Sequence, residues 1–139
     1  MEAYLQDGRA VTPVFLCRIE SIHDDPGTWN VVLGTGEEKL DIVIVQTKGT
    51  RHAYINSCPH QFIPLETFPN HFLTEDRMHL ICSGHGAQFA LSTGVCVKGP
   101  CLGKGLDPLA TLEKDGALYL AEQLSPAEIA RSKRVLRRW

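Results

Sequence analysis

The sequence predicts a chain of short β-strands that ends in a single α-helix. Three features of its 139 residues favour this class. The apolar stretches are short and rich in β-branched residues, which suits strands better than helices. Glycine and proline interrupt these stretches, as turns between strands require. Near the C-terminus, Ser125-Pro126-Ala127-Glu128 supplies an N-cap serine, a proline at the first helical position and a glutamate at the third, which together form a capping box.

Four strands are predicted in the first half of the chain: Val14–Ile19, Trp29–Leu33, Leu40–Thr47 and Arg51–Asn56. The loop Asp24-Asp25-Pro26-Gly27 follows the first strand, and Gly34-Thr35-Gly36 turns the chain toward the third. Lys48-Gly49-Thr50 has the residues of a tight turn, so the last two strands are predicted to form a hairpin.

The second half contains shorter predicted strands among many glycines and prolines. The strands are Met78–Ile81, Gln88–Leu91, Leu109–Lys114 and Ala117–Ala121. Asp115-Gly116 is a strong type I′ turn signal, so it predicts a hairpin between the last two. The helix is predicted from about Pro126 to about residue 138.

Composition and length indicate a soluble globular chain that forms one domain over residues 1–139. Hydrophobic residues make up 43% of the chain and charged residues 22%. No stretch approaches the roughly 20 apolar residues of a membrane span. The N-terminus has neither the basic region nor the apolar region of an export signal. We therefore expect a cytoplasmic protein that has no membrane or nucleic-acid partner.

Five cysteines, at positions 17, 58, 82, 96 and 101, form an odd set that argues against a disulfide framework. Cys17 lies in a predicted strand and is expected to be a buried core residue. Cys96 and Cys101 flank the glycine-proline turn. The sequence leaves open whether these two are free thiols or form a disulfide.

Two short motifs carry most of the functional information: Cys58-Pro59-His60 and Cys82-Ser83-Gly84-His85, separated by 21 residues. The alternatives are coincidence, a tetrahedral Cys₂His₂ zinc site, and a [2Fe–2S] cluster with two cysteines on one iron and two histidines on the other. Zinc fingers pair cysteine with cysteine and histidine with histidine. Here each motif supplies one of each, which favours the cluster.

Residues 57–104 resemble the Rieske [2Fe–2S] family, in which Cys-x-His is followed by Cys-x-x-His-Gly and then a glycine-proline loop, here Gly99-Pro100. The resemblance implies an all-β Rieske fold, an antiparallel β-sandwich or barrel base with a small cluster-binding subdomain at about 57–105, in addition to the C-terminal helix. It implies one [2Fe–2S] cluster as cofactor and no catalytic residue. By the same resemblance, Cys58 and Cys82 bind the inner iron, and His60 and His85 bind the outer iron.

The resemblance is greatest to free-standing Rieske ferredoxins. Respiratory members carry an additional cysteine near each motif, where this chain has Ile63 and Gly84. Rieske oxygenases carry a second domain with a mononuclear iron site, and no such domain is predicted here. Small subunits of nitrite reductases often share the fold without the ligands. Two departures from compact ferredoxins are the longer segment between the motifs, residues 61–81, and the basic C-terminal helix.

The function implied is a soluble, low-potential electron carrier, the ferredoxin that passes electrons from a flavoprotein reductase to a ring-hydroxylating-type oxygenase. The alternative is a Rieske-type subunit of a redox complex with a sensing or assembly role. Residues 1–130 carry a formal charge of −7, and the last nine residues add +5. An acidic body suits either docking to a basic redox partner or solubility alone.

Other candidate residues receive structural interpretations. Four histidines lack a partner at ligand spacing and are expected to face solvent or form hydrogen bonds: His23, His52, His71 and His79. Three phenylalanines between the motifs are expected to cover the cluster or pack this segment, with a docking patch as the alternative: Phe62, Phe68 and Phe72. Ile129, Leu136 and Trp139 share one helix face, so the helix is expected to dock on the β-body, although a partner-binding role stays open.

Overall fold

The computed structural model describes residues 3–4, 10–11, 13–59, 64–65, 71–82 and 86–130. Strands dominate this part of the chain: β1 Ala3–Tyr4, β2 Ala10–Val11, β3 Val14–Arg18, β4 Gly27–Leu33, β5 Leu40–Thr47, β6 Thr50–Ile55, β7 His79–Ile81, β8 Gln88–Ala90, β9 Cys96–Lys98, β10 Pro108–Leu109, β11 Thr111–Lys114 and β12 Ala117–Leu120. Single 3₁₀ turns lie at Ile19–Ser21 and Gly36–Glu38. An α-helix, α1, begins at Pro126 and is described to residue 130.

All strand pairs in the described residues are antiparallel. A four-stranded sheet has the order β10-β6-β5-β4, and two three-stranded sheets have the orders β11-β12-β3 and β7-β8-β9. The short strands β1 and β2 pair with each other. This architecture confirms the predicted all-β class.

Strand β5 lies between two hydrophobic cores. Successive side chains of a strand point to opposite faces. Ile42 and Ile44 face a first core, built with β3, β12 and α1, whereas Val43 and Val45 face a second core that contains Cys58 and Cys82. All four are fully buried, which explains why this strand is a continuous apolar run rather than an alternating one.

The two predicted hairpins are confirmed by their backbone angles. Lys48 and Gly49, between β5 and β6, have φ of +51° and +76°, and Asp115 and Gly116, between β11 and β12, have +52° and +76°. Two successive left-handed residues define the type I′ turn, whose twist matches that of the strands it joins. The first of these turns delivers β6, and with it Cys58, to the second core.

The prediction of one strand over Leu109–Lys114 is wrong. Strand β10 pairs with β6 in one sheet, whereas β11 pairs with β12 in another. Ala110 lies at the crossing point, where its carbonyl oxygen accepts a hydrogen bond from the Ala121 amide at 2.8 Å. The Arg51 guanidinium on β6 binds the Glu113 carboxylate on β11 at 2.7 and 3.0 Å, so the two sheets are also joined by an ion pair.

The helix begins where the sequence predicts, with a reciprocal capping box. The Glu128 amide donates to Ser125 Oγ, and the Ser125 amide donates to Glu128 Oε1, both at 3.3 Å. Ile129 is fully buried in the first core, which confirms that the start of the helix docks on the β-body. Leu136 and Trp139 lie outside the described residues.

Candidate metal centre

The cysteines of the two motifs lie in the same core. Cys58 follows β6, Cys82 directly follows β7, and both side chains are 0% exposed within the second core. An ionised sulfur in such an apolar site is costly without a counter-charge, and thiolates are the ligands that iron–sulfur clusters take. The donors in the described residues therefore fit a cluster. His60 and His85 lie outside those residues, so the full ligand set stays a prediction.

Asn56 fixes the loop that carries the first motif. Its amide donates to the Asp41 carbonyl on β5 at 2.8 Å, and its side-chain Oδ1 accepts a hydrogen bond from the Leu65 amide at 2.9 Å. Asn56 and Leu65 are both buried, so these bonds hold the two ends of the loop together inside the protein. No motif in the sequence marks this residue as part of the site. The sequence shows only an asparagine at the end of the predicted strand Arg51–Asn56.

Backbone hydrogen bonds join the described residues on either side of 83–85, which belong to the second motif. The Gly86 amide donates to the Cys82 carbonyl, and the Cys82 amide donates to the Ala87 carbonyl, both at 2.8 Å. Gly86 has φ of +71°, which disfavours residues with a Cβ. A Cβ at this position would meet nothing within 4 Å, so space does not require a glycine here. The glycine after the motif is therefore needed for its backbone conformation.

The glycine-proline loop presses against the second motif loop. A Cβ built on Gly99, which has φ of +102°, would lie 2.8 Å from Ala87 Cα. The Lys104 amide donates to the Cys101 carbonyl at 2.8 Å, which closes a turn after Pro100. Gly99 thus packs directly against Ala87, two residues beyond the second motif.

Cys101 brings a further thiol to the first motif. Its Sγ lies 4.0 Å from Cys58 Sγ, and it is 1% exposed. Burial raises the pKa of the Cys101 thiol, and the adjacent Cys58 and Cys96 thiols add to that rise. Cys96 is also buried, and its Sγ donates to the Lys98 carbonyl at 3.3 Å. Cys96 and Cys101 are therefore free thiols rather than a disulfide.

Tyr54 ties β6 to the turn between β8 and β9. Its hydroxyl donates to the Leu91 carbonyl at 2.8 Å, and burial raises the pKa of Tyr54 to about 12. The Tyr54 ring packs against Gly94 and leaves no room for a larger residue at that position. A Cβ built on Gly94 would lie 2.7 Å from Tyr54 Cε1. This contact cannot be predicted from local sequence patterns, since it joins residues that are 40 positions apart in the chain.

Apolar groups complete the second core. Ala87, Phe89 and Phe72 are all fully buried there. The position of Phe72 confirms the expectation that it packs the segment between the motifs, whereas Phe62 and Phe68 lie outside the described residues. Neither Ala87 nor Phe89 has a side-chain hydrogen-bond donor to offer the sulfurs.

The four other histidines are exposed or half-buried. His23 and His71 are exposed, and His79 is half-buried on β7. A ring nitrogen of His52 lies 3.2 Å from Thr50 Oγ1. No group of three or more metal-binding side chains forms within the described ranges, which exclude His60 and His85.

A model of one protein family matches most of the chain. It is described as "Rieske [2Fe-2S] domain" and matches residues 12–118. The comparison with curated proteins gives no match. Among the described residues, no helix is long and apolar enough to cross a membrane.

Solved structures of similar fold cover most of this chain. A chain of the complex of reduced oxygenase and oxidized ferredoxin in carbazole 1,9a-dioxygenase is 19% identical with a TM-score of 0.63, over 81% of this chain and 94% of that one. The ferredoxin of carbazole 1,9a-dioxygenase from Nocardioides aromaticivorans IC177 is 15% identical with a TM-score of 0.60, over 80% and 98%. The Sphingomonas yanoikuyae B1 ferredoxin is 19% identical with a TM-score of 0.62, over 80% and 99%. At these identities the similarity is one of fold.

Proposed function

Because the chain belongs to the Rieske [2Fe–2S] domain family, we propose that it carries electrons from a flavoprotein reductase to a ring-hydroxylating oxygenase. The family binds one [2Fe–2S] cluster, which supplies the one-electron chemistry. The observation that carries the proposal is the presence of two fully buried thiols, Cys58 and Cys82, in one apolar core.

The proposed ligands are Cys58 and Cys82 for the inner iron, and His60 and His85 for the outer iron. Backbone hydrogen bonds of Cys82 with Gly86 and Ala87 hold the second thiol, and those of Asn56 and Ser57 hold the chain just before the first. The second core keeps water from them, and the Gly99-Pro100 loop, in contact with Ala87, adds to that exclusion. Two neutral imidazoles in place of two thiolates leave the cluster less negative, so it accepts an electron more readily than an all-cysteine cluster.

The partners are proposed from three observations. Solved proteins of this fold include ferredoxins of oxygenase systems, one of them described as a complex of oxygenase and ferredoxin. The acidic charge of residues 1–130 suits a basic docking surface on a partner. The apolar side chains of Ala87 and Phe89 favour a low potential, which suits an electron acceptor for reduced flavin. We place this exchange in the cytoplasm, where thiols such as Cys17, Cys96 and Cys101 stay reduced.

Metal analysis and electron transfer test the proposal together. The purified protein should contain about two iron and two sulfide per chain, give the rhombic EPR signal of a mixed-ligand cluster when reduced, and turn over between a flavoprotein reductase and an oxygenase. His60→Ala and His85→Ala should lose the cluster, whereas His52→Ala is the matched control, because His52 contacts Thr50.

Different failures would point to different errors. Stoichiometric zinc without sulfide would exclude the cluster in this chain. An intact cluster that a reductase cannot reduce, in a protein that copurifies stoichiometrically with one complex, would favour a subunit role instead of a carrier.

A further inference from the structure

The thiol of Cys101 lies beside Cys58 without being part of the proposed ligand set. The two sulfurs are 4.0 Å apart, within reach of a weak S–H···S hydrogen bond. Among the described residues, Ala87 and Phe89 lie in the same core and cannot donate. Cys101 therefore places a hydrogen-bond donor within reach of a proposed ligand sulfur.

The fold holds Cys101 at this position. Its carbonyl accepts the Lys104 amide at 2.8 Å, and the Lys104 carbonyl accepts the Cys96 amide of β9 at 2.8 Å. Gly99, two residues earlier, is pressed against Ala87. The thiol is thus fixed from both sides by a turn and buried almost completely.

The direction of the hydrogen bond follows from the chemistry of ligation. A cysteine that binds iron does so as a thiolate and has no proton to donate. Cys101 is not a proposed ligand, and the apolar core around it favours the neutral thiol, so across the 4.0 Å contact Cys101 is the sulfur that can donate. We propose that Cys101 is a positioning residue for electron transfer, which donates an S–H hydrogen bond to the Cys58 ligand sulfur and favours the reduced cluster. This inference rests on the proposed role of Cys58 as a ligand.

Reduction places additional negative charge on the cluster and its sulfurs, so the hydrogen bond is stronger in the reduced state. The S–H group is a weak donor, so this bond contributes no more than a typical neutral hydrogen bond although its acceptor is a thiolate, and the difference between redox states is at most that large. Its loss should therefore lower the equilibrium constant for reduction by about 2- to 10-fold. Tenfold corresponds to about 59 mV for one electron.

Redox titration of the holoprotein tests the role of Cys101. Cys101→Ala should retain two iron and two sulfide per chain and have a lower potential than the wild type. Cys101→Ser keeps an O–H donor, so its potential should lie above that of Cys101→Ala. Cys17→Ala is the matched control, because Cys17 is a buried thiol in the first core, and it should leave the potential unchanged. A full cluster with unchanged potential in Cys101→Ala would overturn the proposal.

A measurement on the wild type decides the case in which Cys101→Ala loses its cluster. The infrared S–H stretching band of Cys101 should move to lower frequency when the cluster is reduced, whereas the band of Cys17 should not move. A Cys101 band that is the same in both redox states would overturn the proposal. The ligand assignment fails separately, if Cys58→Ala retains full iron and sulfide.

Discussion

Replacing Gly99 with alanine tests whether the glycine-proline loop must touch the second motif loop. A Cβ on Gly99 would lie 2.8 Å from Ala87 Cα and 3.3 Å from Ala87 N, and both are backbone atoms. Gly103, four residues later, also has a left-handed backbone, with φ of +87° against +102° for Gly99. A Cβ on Gly103 would meet nothing within 4 Å. Gly103→Ala is therefore a matched control, which shares the backbone strain and lacks the collision.

The size of the effect follows from these two contributions. A residue with a Cβ in a left-handed conformation costs about 1–2 kcal/mol, and this cost applies to both variants. Overpacking adds about 1–3 kcal/mol for Gly99→Ala only. Ala87 cannot easily move away, because its carbonyl accepts the Cys82 amide at 2.8 Å. We expect the free energy of unfolding to fall by about 2–5 kcal/mol for Gly99→Ala and about 1–2 kcal/mol for Gly103→Ala.

Urea unfolding of the holoproteins, followed by circular dichroism, measures the free energy of unfolding. The visible absorption of the cluster measures its release. Gly99→Ala should also release its cluster faster than Gly103→Ala, because the displaced backbone belongs to the Cys82 loop. Equal destabilisation and equal cluster release in the two variants would refute the reasoning.

Three further predictions concern the cluster, its potential and the helix. Replacing any one of the four proposed ligands with alanine should abolish the cluster and destabilise the loops around it; these ligands are Cys58, His60, Cys82 and His85. Cys96→Ser and Cys101→Ser should retain the cluster. Iron and sulfide analysis and EPR spectroscopy measure cluster content in each variant. The reduction potential of the cluster should be on the order of −150 mV. Ala87→Ser and Phe89→Tyr should each raise this potential by at most roughly 60–130 mV, because a hydrogen bond to a charged group contributes about 1.5–3 kcal/mol and about 1.4 kcal/mol corresponds to 59 mV. Voltammetry that finds no rise in either variant would contradict this prediction. Deleting residues 125–139 should leave the cluster spectrum unchanged and lower the thermal midpoint, because it removes the buried Ile129. Unchanged stability with lost reduction by the partner would instead indicate a recognition helix.

Local chemistry was sufficient to predict some elements of the fold. The Lys48-Gly49 and Asp115-Gly116 turns require two left-handed residues in succession, and few sequences provide them. The start of the helix follows equally from Ser125 and Glu128, whose reciprocal hydrogen bonds involve neighbours in the chain. In each case the determining contact spans only a few residues.

Other features depend on contacts that a single sequence does not reveal. The break at Ala110 arises because β10 and β11 pair with strands of different sheets, while the local pattern continues without interruption. The contact of Tyr54 with Gly94 and that of Cys101 with Cys58 join distant segments. Within the candidate site, the buried cysteines agree with the motif, and the roles of His60 and His85 remain predictions.

The two buried faces of β5 have a consequence for how the chain finds its strand register. An ordinary half-exposed strand resists a one-residue slip because the slip would bring polar groups inside. Residues 42–45 have no such protection, since isoleucine alternates with valine and all four are buried. Within this run, side-chain volume favours the correct pairing, because a slip would overfill the core around the cysteines and leave gaps on the opposite face. The Lys48-Gly49 turn fixes the register of β6 against β5 and so disfavours such a slip between these two strands during folding.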